Sequence, residues 1–194
     1  RSLNKNITDE LSNESIKKFI SEIMYNINTD SLQYPEKINQ SFYTNLDKVL
    51  SFKNVEFFQL RLKNVSQKKL LNISKKIKKI TTKHKVNFII NDYFILTSKI
   101  KADGCHMGQL DGSFKIARKK LKGKILGITC HNSKLLANNA IENKADYIAF
   151  GSFFKSNLKP SAKKANLNIL KWAKKNIKKP IVVIGGINSA NYKK

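Results

Sequence analysis

From residue 57 onward the chain repeats one rhythm: a short apolar run, then a lysine-rich amphipathic stretch, then another short run. The runs are FFQLRLK (57–63), VNFIIND (86–92), GCHMG (104–108), KILGIT (124–129), YIAFGS (147–152) and PIVVIGGI (180–187). Between them, segments such as SQKKLLNISKKIKKITTKH place Leu70, Leu71, Ile73, Ile77 and Ile80 near the 3.6-residue period of a helix, with lysines on the solvent face. Strands that alternate with helices imply a parallel sheet. Several runs are almost wholly apolar, as strands buried on both faces must be. The regular spacing favours an α/β fold of the (β/α) barrel kind over an open doubly wound sheet. No G-x-G-x-x-G follows the first run, which argues against a dinucleotide fold.

Upstream, SLQYPEKI (31–38) is the expected first strand and FYTNLDKVLSF (42–52) the expected first helix. Residues 1–30 read as a separate N-terminal amphipathic segment, with a helix over DELSNESIKKFISEIMYNI, and residues 31–194 as an incomplete (β/α) barrel. Strand counting reaches seven, so a barrel of eight is expected to lack its last strand and helix here. The chain starts at Arg1 rather than Met, so a missing true N-terminus is also expected.

A chain of 194 residues, 41% hydrophobic, suits one domain, with two as the alternative, and is long enough to bury a substantial core. Its formal net charge is +25, from 38 Lys+Arg against 13 Asp+Glu. Such a field attracts polyanions. Arginine, the residue of base readout, occurs only at Arg1, Arg61 and Arg118. Abundant Lys, Asn and Ile together point to an A- and T-rich genome. The lysines spread over helix surfaces instead of interleaving with aromatics, so no specific nucleic-acid partner is expected. Small anionic substrates are the partners that gain from the field. Cys105 and Cys130 form no disulfide framework and suit a reducing, cytoplasmic setting. No apolar stretch approaches the ~20 residues of a membrane span, and the polar first residues predict no signal peptide. A homo-oligomer is left open.

Acids become rare after residue 56: only Asp92, Asp103, Asp111, Glu142 and Asp146 remain. Asp92 ends one apolar run, after Asn91, and Asp111 follows another just past Gly108. At the mouth of a barrel the two carboxylates can share a hard cation; Mg²⁺ commonly takes one or two carboxylates plus substrate phosphates. The competing reading makes each a helix cap. In FFQLRLK, alternation puts Gln59, Arg61 and Lys63 on one face and Phe58, Leu60 and Leu62 on the other. With the apolar set against helices, the polar set turns toward the mouth, where Arg61 can grip a phosphate with two bonds. An exposed edge strand is the alternative. Thr129 offers a hydroxyl at the end of KILGIT, though a core hydroxyl is equally consistent. Ser156 and Lys159 lie on a loop suited to phosphate. Gly185 and Gly186, then Asn188 and Ser189 as caps, suit an anion site of backbone N–H groups, and each is also ordinary turn chemistry. His106 packs in a strand and His131 begins a loop; neither has a zinc-site spacing.

These pieces, QLRLK, IND, ADGCHMGQLD, LGITCH, ADYIAFGSFFKS followed by LK, and PIVVIGGI, occur in the order and spacing of one family. From about residue 57 to 188 the chain resembles thiamine phosphate synthase, a TIM-barrel transferase. The resemblance implies condensation of 4-amino-2-methyl-5-pyrimidinylmethyl diphosphate with a thiazole phosphate, giving thiamine phosphate and pyrophosphate. It implies that Gln59, Arg61, Lys63 and Asn91 hold the pyrimidine diphosphate and that Asp92 and Asp111 hold Mg²⁺. Thr129 stands where the family often has serine, Lys159 would contact the diphosphate, and Ser156 and Gly186 the thiazole phosphate. Arg61, Thr129 and Lys159 are the implied catalytic set.

The chain departs from the family pattern at three positions: Leu158 for a threonine, Lys155 for a proline, and Tyr93 for an arginine. The alternatives are a thiazole tautomerase-like isomerase on the same fold, or an inactive truncated binding remnant. An isomerase would not need the diphosphate and metal groups.

Overall fold

A computed structural model describes residues 25–29, 38–52, 55–154 and 164–187. Two compact units are distinguished. One holds the described residues of Glu22–His106 with Lys119–Ile125, and the other those of Met107–Arg118 with Leu126–Lys194. Both are α/β, with parallel strands alternating with helices.

In the first unit the strands are β1 (Tyr25–Thr29), β2 (Phe57–Leu62), β3 (Asn87–Asn91) and β4 (Gly104–Met107, up to His106). The helices are α1 (Gln40–Leu50), α2 (Gln67–Lys83) and α3 (Phe94–Lys99). All neighbouring strands are parallel, with Ile27 beside Leu60, Gln59 beside Ile89, and Asn91 beside His106. The apolar face of β2 meets the helices as alternation requires. Phe58, Leu60 and Leu62 pack with Phe88 and Ile90 of β3, Leu46 and Leu50 of α1, and Leu70, Ile73 and Ile77 of α2. The expected helix over 66–84 is α2. Ser66 caps it by accepting the Lys69 N–H at 3.3 Å, and Lys85, at φ 58°, ends it and turns the chain into β3.

The N-terminal expectation needs correction. Tyr25–Thr29 is a strand paired with β2, not the end of a helix, so the first strand falls within the segment set apart as 1–30. Period-2 alternation in YNINT outweighs the helical spacing read across it. Of the expected strand 31–38, residues 31–37 lie outside the described residues, and Ile38 is in no strand.

The second unit begins helix α4 (Phe114–Leu121), then holds β5 (Ile125–His131, from Leu126), α5 (Lys134–Glu142), β6 (Tyr147–Phe150), α6 (Leu167–Asn176) and β7 (Ile181–Val183). β5, β6 and β7 pair in parallel, with Gly127 beside Tyr147 and Ile148 beside Ile181. His131 closes β5 instead of opening a loop, with φ 53°.

The units share a short sequence device, Lys-Ala-Asp, at Lys101–Asp103 and Lys144–Asp146. Each lysine takes a left-handed conformation after a helix, at φ 56° and 57°. Each aspartate opens a strand and binds back to the preceding one. Asp103 accepts the Phe88 N–H at 2.8 Å and the Lys78 ammonium at 2.7 Å. Asp146 accepts the Leu126 N–H at 2.8 Å and the Arg118 guanidinium at 2.8 Å. Two of the five late acids are therefore latches between strands. Among the described residues no helix is long and apolar enough to cross a membrane.

Candidate active site

The first unit brings Gln59, Asn91 and Asp92 together. β2 carries Gln59 and β3 carries Asn91 to the face opposite the helix-packed core. There, Gln59 Nε2 donates to Asn91 Oδ1 at 2.5 Å, and both residues are buried. Asn91 Nδ2 then donates to the Asp92 carboxylate. Asp92 sits just past β3 in a left-handed conformation, φ 70°, that short polar side chains tolerate best. Its own N–H donates to the His106 carbonyl at 2.8 Å. The cap position of α3 is held by Tyr93, with no side-chain cap bond, so Asp92 is not spent on capping.

Arg61 follows Gln59 on the same face of β2 and is only 7% exposed, whereas Lys63, just past the strand, is exposed. Arg118 lies on α4 and donates to Asp146, so it takes no part in the polar face of β2. His106 lies buried in β4, as expected for a packed histidine.

The second unit brings Asp111 and Thr129 into one arrangement through a residue the sequence did not single out. After β4, Gly108 to Asp111 form a tight turn. The Gly108 N–H donates to Asp111 Oδ2 at 2.6 Å, and the Asp111 N–H to the Gly108 carbonyl at 3.4 Å. Gln109, inside the turn, donates from Nε2 to the Thr129 carbonyl at 2.6 Å. Capping of α4 falls to Ser113, whose hydroxyl accepts the Ile116 N–H at 3.4 Å, so the cap reading of Asp111 fails as well. No local pattern marks Gln109, because its acceptor lies 20 residues further along.

Gly185 and Gly186 follow β7 at φ 94° and 68°, conformations that favour glycine. A Cβ on Gly185 would meet Ser152 Oγ at 2.2 Å, so the loops after β6 and β7 stack closely. The Phe154 N–H donates to the Gly185 carbonyl at 3.0 Å. Ser156, Lys159, Lys155, Leu158, Asn188 and Ser189 lie outside the described residues. Cys130, between Thr129 and His131, is buried, and burial pushes its thiol up to about 12. A thiol so raised stays protonated at neutral pH and is no nucleophile.

The donor types fit a hard divalent cation. Asp92 in the first unit and Asp111 in the second each offer a carboxylate, and Asp111 has no cationic partner among the described residues of this lysine-rich chain. Among the described residues no three of His, Cys, Asp and Glu gather into a cage. A cation held by a single such carboxylate would be completed by substrate oxygens and water, as is usual for Mg²⁺.

Parallel strands carrying buried polar residues at their C-terminal ends define an α/β enzyme, with chemistry placed where the strands run out into loops. The family model for thiamine monophosphate synthase matches residues 26–194, and the chain belongs to that family. A thiamine-phosphate synthase of Pelagibacter ubique is 53% identical over 161 residues, covering 82% of this chain and 78% of that protein. One from Erythrobacter litoralis is 41% identical over 140 residues, covering 71% and 66%. The structure of thiamine phosphate pyrophosphorylase from Pyrococcus furiosus is similar with a TM-score of 0.68 and 26% identity, over 77% of this chain and 71% of that one.

Proposed function

We propose that the chain is a thiamine-phosphate synthase, a transferase that joins 4-amino-2-methyl-5-pyrimidinylmethyl diphosphate to a thiazole phosphate. The observation that carries this reading is the 53% identity to a protein of that name. The buried Gln59–Asn91–Asp92 chain beside Arg61 supports it, because it provides fixed polar groups along β2 and at the end of β3.

In the reaction, the bond between the pyrimidine methylene carbon and the diphosphate oxygen breaks, and its electron pair leaves with the diphosphate. The aminopyrimidine ring stabilises the resulting cation. The thiazole nitrogen lone pair then forms the new C–N bond. Arg61 and Lys159 stabilise the charge of the leaving group, as preorganised donors do best in a site that excludes water. Gln59, Lys63 and Asn91 orient the pyrimidine diphosphate, and Thr129 adds a hydroxyl. Ser156 and Gly186 hold the thiazole phosphate. Mg²⁺, when bound by Asp92 and Asp111, neutralises diphosphate charge.

The test is direct. The purified chain, given both substrates and Mg²⁺, is expected to form thiamine phosphate and pyrophosphate in equal amounts. Arg61→Met should retain the fold and lower the rate by roughly 100-fold. Isomerisation of a thiazole carboxylate phosphate with no condensation would make the chain an isomerase instead, and the synthase reading would fall.

A further inference from the structure

Gln109 has no role in the reading above, yet its side chain joins two of the residues that the reading uses. It lies in the Gly108–Asp111 turn, two residues before Asp111. Its carboxamide reaches the main-chain carbonyl of Thr129 at 2.6 Å, and both groups are half-buried. Where Gln109 makes contact, β5 is irregular. Thr129 pairs with Ala149 and His131 with Phe150, which leaves Cys130 as an extra residue in the strand. A bulge of this kind re-aims the side chains beside it. The Gln109 bond adds a hold on the Thr129 peptide right beside this irregularity.

The other end of the turn is equally constrained. Asp111 Oδ2 is drawn onto the Gly108 N–H at 2.6 Å, which orients the carboxylate from within the turn. A Cβ on Gly108 would stand 3.0 Å from that same oxygen, so glycine lets the clasp close tightly. The turn is thus clasped internally, and among the described residues the Gln109 bond ties it to β5.

We propose that Gln109 is a positioning residue, which locks the Asp111 turn to the bulged end of β5 and thereby holds the Asp111 carboxylate and the Thr129 hydroxyl in a fixed register. This rests on the synthase reading, in which Asp111 holds Mg²⁺ and Thr129 faces substrate. Gln109 itself touches neither metal nor substrate. Its carboxamide suits this role because it is neutral at every working pH, donates to a carbonyl, and is long enough to span from the turn to β5.

The experiment compares Gln109→Met, which keeps length but removes the donor, and Gln109→Glu, which sets a carboxylate against the carbonyl, with the parent and with Asp111→Asn. Three readouts are taken: amide hydrogen exchange across 108–111, Mg²⁺ binding by calorimetry in the presence of pyrophosphate, and steady-state kcat and KM. Both Gln109 variants are expected to exchange faster in the turn and to bind Mg²⁺ about tenfold more weakly, the lower range for an outer-shell partner of a metal ligand. They should lower kcat more than KM for the thiazole phosphate changes, with Glu worse than Met. Faster exchange with unchanged Mg²⁺ binding and kcat would reduce Gln109 to a structural clasp and overturn the proposal. Unchanged exchange in both variants would overturn it too. If Asp111→Asn weakens Mg²⁺ binding while the Gln109 variants do not, the synthase reading stands and only the positioning role is lost. If Asp111→Asn leaves Mg²⁺ binding unchanged, the metal assignment fails and the proposal falls with it.

Discussion

Gln59 and Asn91 share a buried hydrogen bond of 2.5 Å between neighbouring strands, and it fixes which way the Asn91 amide faces. With Oδ1 accepting from Gln59, Nδ2 is left to donate to Asp92. A side chain near the middle of β2 therefore orients an acid just past the end of β3. Gln59→Leu keeps much of the volume but strands the Asn91 oxygen in a buried setting, which costs about 1–3 kcal/mol. Urea unfolding should show that loss. Turnover should fall further than stability alone explains, because Asn91 and Asp92 are then free to reorient. Full activity in a folded Gln59→Leu protein would separate this bond from the site.

Gly127 faces Tyr147 across β5 and β6, and the tyrosine ring occupies the space a side chain would need. A Cβ on Gly127 would lie 1.9 Å from Tyr147 Cζ. Tyr147 is almost wholly buried, so its ring has little room to yield. Gly127→Ala should destabilise the protein by about 1–3 kcal/mol through overpacking. Tyr147→Ala alone opens a cavity and costs more, but the double variant should lose less than the sum of the two single losses, a non-additivity expected of residues in contact. Thermal melts of the two single variants and the double variant measure it.

Much of the fold was legible because its signals are local. The six apolar runs become β2 to β7, and the faces of β2 follow from simple alternation of Phe58, Leu60 and Leu62 with Gln59 and Arg61. β1 is hard to see because the helical spacing of the preceding residues runs on through Tyr25 to Ile27, and five residues of alternation are a short signal against it. The strand latches were hidden for a different reason. Asp103 and Asp146 find backbone partners 15 and 20 residues back, and no window of sequence shows such a pairing. The same distance hid Gln109. What was legible at the site was the set of strand-ending polar residues; the bonds that order them depend on register between strands.

Lys101 and Lys144 occupy left-handed positions where helices usually place glycine. The following residues close the turns: the Ala102 N–H donates to the Thr97 carbonyl at 3.0 Å and Ala145 to Ala140 at 3.0 Å. A non-glycine residue in that conformation costs roughly 1–2 kcal/mol. Glycine relieves the strain but returns roughly 0.5–1 kcal/mol through its freer unfolded chain. Lys144→Gly should therefore gain a fraction of a kcal/mol up to about 1 kcal/mol, and Lys101→Gly a similar amount. The two turns close on different helices, α3 and α5, and share none of these hydrogen-bond partners, so the gains should add. A drop in melting temperature for either variant would show that the lysine side chain contributes more than its backbone strain costs.

Asp47 on α1 meets the end of α2, where it accepts from Lys83 Nζ at 2.8 and 2.9 Å and lies 2.8 Å from His84 Nε2. The Lys83 bond, then the His84 bond, hold its carboxyl below the ordinary value of 3.8. A folded state that lowers a carboxyl's pKa is stabilised while the group is ionised. That stability is complete above the unfolded value and disappears as pH falls through the folded one. Asp47→Asn should accordingly shift the urea midpoint down at neutral pH. The two proteins should begin to converge near pH 3.8 and coincide at lower pH. The group is exposed, so the gap should be small and should narrow with added salt. A gap that persists unchanged into acid would mean that Asp47 acts through packing and not through charge.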